Sequence, residues 1–176
     1  MFHLYGLMIG IAIVVGYSIA EAIEPKVSQG ATKVIVAGLI GARIYHVLDY
    51  LEFYKDHMMQ IFFVWNGGLS IWGALLAGAV ASIFIYRAQV WKIVGASVVG
   101  LPIAQAIGRI GNGLNHEFEN KVWLMPWWTL EMVLDLILFG VMYLLYKHKI
   151  SDKVRISVYL IGYGMIRFIL QPFRIN

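Results

Sequence analysis

The sequence predicts an all-α, polytopic integral membrane protein: a six-transmembrane-helix bundle in one domain over residues 1–176, with both termini extracytoplasmic. Three observations carry this reading. Of 176 residues, 60% are hydrophobic and only 14% charged, with a mean hydropathy of +0.74, whereas about one-quarter of an average soluble domain is charged. Apolar runs close to the ~20 residues that cross a bilayer recur six times. Positive charges collect in alternate connections between those runs.

The first run, 4–23, ends near Ala20-Glu21-Ala22, which has the small-x-small form of a leader cleavage site. No lysine or arginine precedes the run, so the segment is expected to remain as a helix. The second, 34–54, carries Arg43 and His46. Residues 58–65 are apolar but too short to span, which predicts an interfacial segment. The third and fourth runs are 69–86 and 93–110; Pro102, inside the latter, predicts a bend ahead of Arg109. The fifth and sixth are 129–146 and 156–173. Gly73, Gly78, Gly95 and Gly100 read as places where helices approach closely. Trp123, Trp127 and Trp128 read as an aromatic belt at the outer interface, and 147–153 as an ordinary turn on the opposite side.

Charge sets the orientation. Lys26, Lys33, Arg87, Lys92, Lys147, Lys149, Lys153 and Arg155 lie in the connections after the first, third and fifth runs. By the positive-inside rule that side faces the cytoplasm. The formal charge of +4 then reflects topology and contact with anionic lipid, and no nucleic-acid partner is predicted. The absence of cysteine excludes disulfides and thiolate ligands, so any thiol that reacts belongs to a substrate. His3, His46, His57, His116 and His148 lack the i, i+4 pairing of a helical zinc site; no metal and no cofactor are predicted.

Polar groups embedded in the apolar runs mark the site. Residues 105–117 bring Arg109, Asn112, Asn115, His116 and Glu117 to the end of the fourth run. Arg43 lies seven residues, about 10 Å at 1.5 Å per residue, below Tyr50, which marks the outer end of its helix; Glu131 opens the fifth run and Arg167 sits near the end of the sixth. All fall at a similar depth. Arginines facing lipid there cost roughly 2.5–3.5 kcal/mol each, which predicts an interior cavity. A guanidinium is a donor fork matched to phosphate, so the cavity is expected to bind an anionic headgroup. Glu131 and Asp135 share a helix face at i, i+4 and are available to pair with the arginines.

The segments Tyr5-Gly6-Leu7-Met8, Gly41-Ala42-Arg43, Trp65-Asn66-Gly67-Gly68-Leu69-Ser70, Gly108-Arg109-Ile110-Gly111-Asn112 with Asn115 and Glu117, then Glu131, Gly162-Tyr163-Gly164 with Arg167, and Phe173-Arg174 occur in this order along nearly the whole chain. Together they resemble bacterial prolipoprotein diacylglyceryl transferases. The resemblance implies a transferase of the bacterial plasma (inner) membrane that acts in lipoprotein biosynthesis. It implies transfer of a diacylglyceryl group from phosphatidylglycerol to the lipobox cysteine thiol at a prolipoprotein signal peptide, with release of glycerol phosphate. Arg109, Arg167, Glu117 and Tyr5 are then expected to be catalytic, with Asn112, Asn115, Arg43, Gly67, Gly68 and Glu131 in substrate binding.

Three departures from the family pattern stand out. Trp72 occupies the position where the family usually carries histidine. The stretch between Glu117 and Glu131 is short, which predicts loss of the family's extracytoplasmic head insertion, and the family's last helix is expected to be missing after Arg174. His46, one turn above Arg43, is the expected substitute base. The alternative is a catalytically silent phospholipid-binding or scaffold protein of the same fold.

Overall fold

A computed structural model describes residues 4–64, 67–115, 121–122 and 125–174. Its exterior is apolar and its interior holds charge, the reverse of a soluble protein. Phe84 and Phe168 are 74% and 84% exposed, while Arg43, Asn112, Glu131, Asp135 and Arg155 are buried. Among the described residues, four helical stretches are long and apolar enough to cross a membrane: Gly6–Ile23, Ala31–Asp49, Ile71–Leu114 and Trp127–Lys147. The protein is a multi-pass membrane protein.

The chain divides into two compact units, Lys26–Val90 and Met1–Pro25 with Trp91–Asn176. In the first, helix α2 (Ala31–Asp49) is followed by α3 (Leu51–Asp56), a 3-10 turn at Met58–Phe62, and α4 (Ile71–Tyr86). The predicted run 34–54 is thus two helices, because the backbone leaves helical geometry at Tyr50 (φ −116°, ψ 38°). Of the short apolar segment 58–65, Met58–Phe62 forms the 3-10 turn. Helix α2 packs on α4 through Gly41 and Gly73: a Cβ on Gly41 would lie 2.6 Å from the Gly73 carbonyl oxygen, so only glycine permits this backbone approach. The Ser70 N–H donates to the Ala42 carbonyl (3.0 Å) and the Tyr86 hydroxyl to the Val27 carbonyl (2.6 Å), which ties both ends of α4 down. Arg87 then takes φ 48°, a conformation that ends the helix. The 44-residue apolar stretch Ile71–Leu114 is therefore broken in its middle.

The other unit holds α1 (Leu4–Ile23), α5 (Val90–Leu114), the two-residue strands β1 (Lys121–Val122) and β2 (Met125–Pro126), α6 (Trp127–Lys147) and α7 (Asp152–Leu170). The strands pair antiparallel, Lys121 opposite Pro126 and Val122 opposite Met125. Helix α5 runs 25 residues through Pro102 without interruption, and Gly16 of α1 and Gly100 of α5 meet backbone to backbone. Of the four predicted close-packing glycines, Gly73, Gly95 and Gly100 lack room for a Cβ; Gly78 has ordinary clearance. Helices α6 and α7 form an antiparallel hairpin whose core includes Leu138, Met142, Tyr159, Ile166 and Leu170. Asp152, Lys153, Arg155 and Arg167 make α7 the most charged of the long helices.

Candidate functional site

On α6 the buried residues Trp127, Glu131, Asp135, Leu138 and Met142 recur every three or four positions and form one inward stripe. Its upper half is polar. Glu131, with a side chain 0% exposed, takes the space between two arginines from neighbouring helices. Its Oε2 pairs with Arg109 Nε of α5 at 3.0 Å, and its Oε1 accepts from Arg167 Nη1 of α7 at 3.3 Å. One carboxylate thus holds two guanidinium groups of like charge together.

Each arginine has a second, neutral partner. Arg109 Nη1 donates to Asn112 Oδ1 (3.0 Å), one turn along α5, and Arg167 Nη2 donates to Gln171 Oε1 (2.8 Å). Both guanidinium carbons lie over the Trp127 ring, at 5.5 and 6.0 Å, within cation–π range. Trp127 is itself 0% exposed and donates from Nε1 to the Leu170 carbonyl (2.8 Å). The arginine side chains remain 16% and 24% exposed, and Arg109 Nη2 has no protein partner among the described residues. These partners hold the two guanidinium groups side by side while leaving each partly exposed.

One turn deeper, Asp135 is 0% exposed and neither carboxyl oxygen has a hydrogen-bond partner among the described residues. A buried acid without donors at membrane depth is costly and marks a functional region. Below it Gln105 Nε2 donates to the Tyr159 hydroxyl (3.0 Å), extending the polar column between α5 and α7.

A second arginine-centred arrangement lies in the Lys26–Val90 unit. Arg43 donates from Nε to the Ile61 carbonyl (2.8 Å), from Nη1 to the carbonyls of Gly67 (2.8 Å) and Gly68 (2.9 Å), and from Nη2 to that of Gln60. Its guanidinium stacks 5.3 Å from the Tyr54 ring. Gly67 and Gly68 have φ of 88° and 74°, left-handed values that turn their carbonyls toward Arg43 and that side chains adopt only with strain. His46, half-buried, lies 4.7 Å from the Tyr50 ring with the two planes tilted by 38°, and its imidazole edge fills the space where a Cβ on Gly68 would sit.

The structure brings Arg109, Arg167, Asn112 and Glu131 together, and separately Arg43, His46, Gly67 and Gly68. Asn115 closes α5, its N–H donating to the Gly111 carbonyl (3.1 Å). His116, Glu117, Trp123 and the side chain of Tyr5 lie outside the described residues. The belt reading of Trp127 is corrected: the ring points inward because Arg109 and Arg167 both need its face, and the spacing Trp127, Glu131, Asp135 at i, i+4, i+8 carries that signal in the sequence. Trp128 packs on Gly113, whose Cβ would come within 2.6 Å of the ring. Gln171 was not singled out in sequence; its position four residues after Arg167 is the cue. Trp72 is 64% exposed.

The whole chain, residues 1–176, matches the prolipoprotein diacylglyceryl transferase family. This chain belongs to that family. It is similar to the phosphatidylglycerol–prolipoprotein diacylglyceryl transferases of Lactococcus lactis subsp. cremoris, at 31% identity over 78% of this chain and 62% of the relative, and of Symbiobacterium thermophilum, at 31% identity over 97% of this chain and 76% of the relative. The protein of Frankia alni with the same name is 36% identical over 70% of this chain and 36% of its own length. The chain thus spans about two-thirds of the first two relatives.

Proposed function

We propose that the chain transfers a diacylglyceryl group from phosphatidylglycerol to the lipobox cysteine of a prolipoprotein signal peptide, in the bacterial inner membrane, with release of glycerol phosphate. The observation that carries this reading is the pair Arg109 and Arg167, on two different helices, set side by side by the single buried carboxylate of Glu131. In the reaction the cysteine sulfur attacks the diacylglyceryl carbon that bears the phosphate oxygen. A C–S bond forms, the C–O bond breaks, and the electron pair leaves on the phosphate of glycerol phosphate. The thiol proton passes to a base or to water.

Charge grows on the phosphate as the C–O bond breaks, and two guanidinium groups fixed beforehand in a water-poor site stabilise it with little reorganisation. Asn112 is suited to the glycerol hydroxyls, with Tyr5, Asn115 and Glu117 completing the headgroup site. His46, half-buried beside Gly68, is the proposed proton acceptor in place of the family histidine. Arg43 has most of its donors occupied by carbonyls, so its role is to hold the backbone of Gln60, Ile61, Gly67 and Gly68 in place. The alternating loop charges support six crossings with both termini outside, α7 being the crossing that holds Arg167.

Incubation in phosphatidylglycerol nanodiscs with a lipobox peptide tests the reading. A peptide mass increase by one diacylglyceryl group, matched by glycerol phosphate release and lost in Arg109→Gln, is the expected result. Retained phosphatidylglycerol binding with no transfer would favour a silent phospholipid-binding relative, the reading that Trp72 in the histidine position supports.

A further inference from the structure

The turn between α6 and α7 lies at the other end of the hairpin from Glu131, about 24 Å along α6 at 1.5 Å per residue. Here Arg155, in the first turn of α7, is only 7% exposed. Its Nη2 is paired with Asp152 Oδ1, and its guanidinium lies 5.7 Å from the centre of the Tyr146 ring. Its Nε and Nη1 are buried with no hydrogen-bond partner among the described residues. A buried cation with two unmet donors is unfavourable unless an anion completes its shell.

Arg155 lines a cleft of about 290 Å³ with Tyr146, Lys149, Ile150, Ser151 and Asp152. The other groups there favour an anion too. Lys149 is held at φ 56° in the turn, Ser151 precedes α7 without using its hydroxyl as a cap, and the positive end of the 19-residue α7 dipole opens onto the same place. The one acid, Asp152, is already engaged by Arg155 and packs against Gly95, where a Cβ would meet the Asp152 Cβ at 2.7 Å.

We propose that this cleft is a second phosphate-recognition site, centred on Arg155 and remote from the Arg109–Arg167 pair. Its ligand is a phosphate group, carried by an anionic phospholipid headgroup at the membrane surface or by a soluble phosphate. The guanidinium supplies the directional donors, and Lys149 with the α7 N-terminus supplies long-range attraction. The site does not depend on the transferase reading, because its occupancy is measured without turnover.

The test is a thermal-shift titration of the full chain in neutral detergent with phosphatidylserine, phosphatidylcholine, or inorganic phosphate against chloride at equal ionic strength. Phosphatidylserine or inorganic phosphate is expected to raise Tm by a few degrees, as ligands of the folded state do, and phosphatidylcholine is expected to do less. A response to phosphatidylserine alone identifies a lipid headgroup; an equal response to inorganic phosphate identifies a soluble anion. Arg155→Gln should weaken the response about tenfold in midpoint concentration, whereas Arg109→Gln should keep it. Should Arg155→Gln fail to fold, the surface double variant Lys149→Gln with Ser151→Ala is expected to weaken it about threefold. No shift in wild type, or a midpoint unchanged in the folded variants, overturns the proposal.

Discussion

Arg43 is buried and Arg109 and Arg167 are partly buried in long helices, yet they are satisfied in opposite ways. Arg43 meets no carboxylate among the described residues; four backbone carbonyls take its hydrogens. Carbonyls that converge on a guanidinium fix a loop and leave little donor capacity for a ligand. Arg109 and Arg167 instead share one carboxylate and one aromatic ring, keep part of their surface open, and draw neutral amides for the remainder. Two cations against one paired acid leave a net positive charge in the cluster. The comparison teaches that residue type and place in an apolar run locate costly arginines, whereas the partners decide whether their donors are used up by backbone or left partly exposed.

The sharpest way to break this comparison is to remove the shared carboxylate. Glu131→Gln leaves two partly buried guanidinium groups without their shared acid and should lower stability by up to about 3 kcal/mol, measured by unfolding in detergent. A loss below about 1 kcal/mol would mean that the pair does not depend on Glu131. Next, Arg109→Gln or Arg167→Gln should reduce kcat/KM for transfer about 10²–10³-fold, the scale of losing one preorganised donor to a developing oxyanion.

Arg43 sharpens the contrast. Arg43→Lys keeps the charge but loses the fork, so it should loosen the 60–68 loop as much as Arg43→Gln does, which limited proteolysis reads directly. Gly68→Ala should act in the same region, at about 1–2 kcal/mol for the left-handed backbone, with further loss because the new Cβ would meet Arg43 Nη1 at 2.6 Å. The smallest effect is expected at Asp135→Asn: no protein hydrogen bond is lost, so stability should stay within about 1 kcal/mol. A change as large as that of Glu131→Gln would reveal a partner for Asp135 comparable to the arginines.

Much of this was legible before folding. Charged side chains are so costly in a bilayer that Arg109, Glu131 and Arg167 could be singled out from their places in apolar runs, and the i, i+4 spacing put Glu131 and Asp135 on one face. The same spacing extends back to Trp127, whose enrichment at membrane interfaces concealed its inward position. Nothing in the sequence distinguished Arg43 from the other two, because the groups that satisfy it are backbone carbonyls, and carbonyls look alike at every residue. Arg155 was hidden for a related reason: among so many turn lysines, its burial and its unmet donors depend on how Tyr146, Asp152 and Gly95 pack.

The sequence by itself determined the membrane class, the helical character, the family and which costly charges fall within apolar runs, since these follow from transfer energies and short-range periodicity. Only the tertiary structure decided which charge meets which partner. Pairing depends on distances between helices far apart in the chain, and a single carboxylate at 3.0–3.3 Å from two guanidinium groups is a fact about packing that no local pattern encodes.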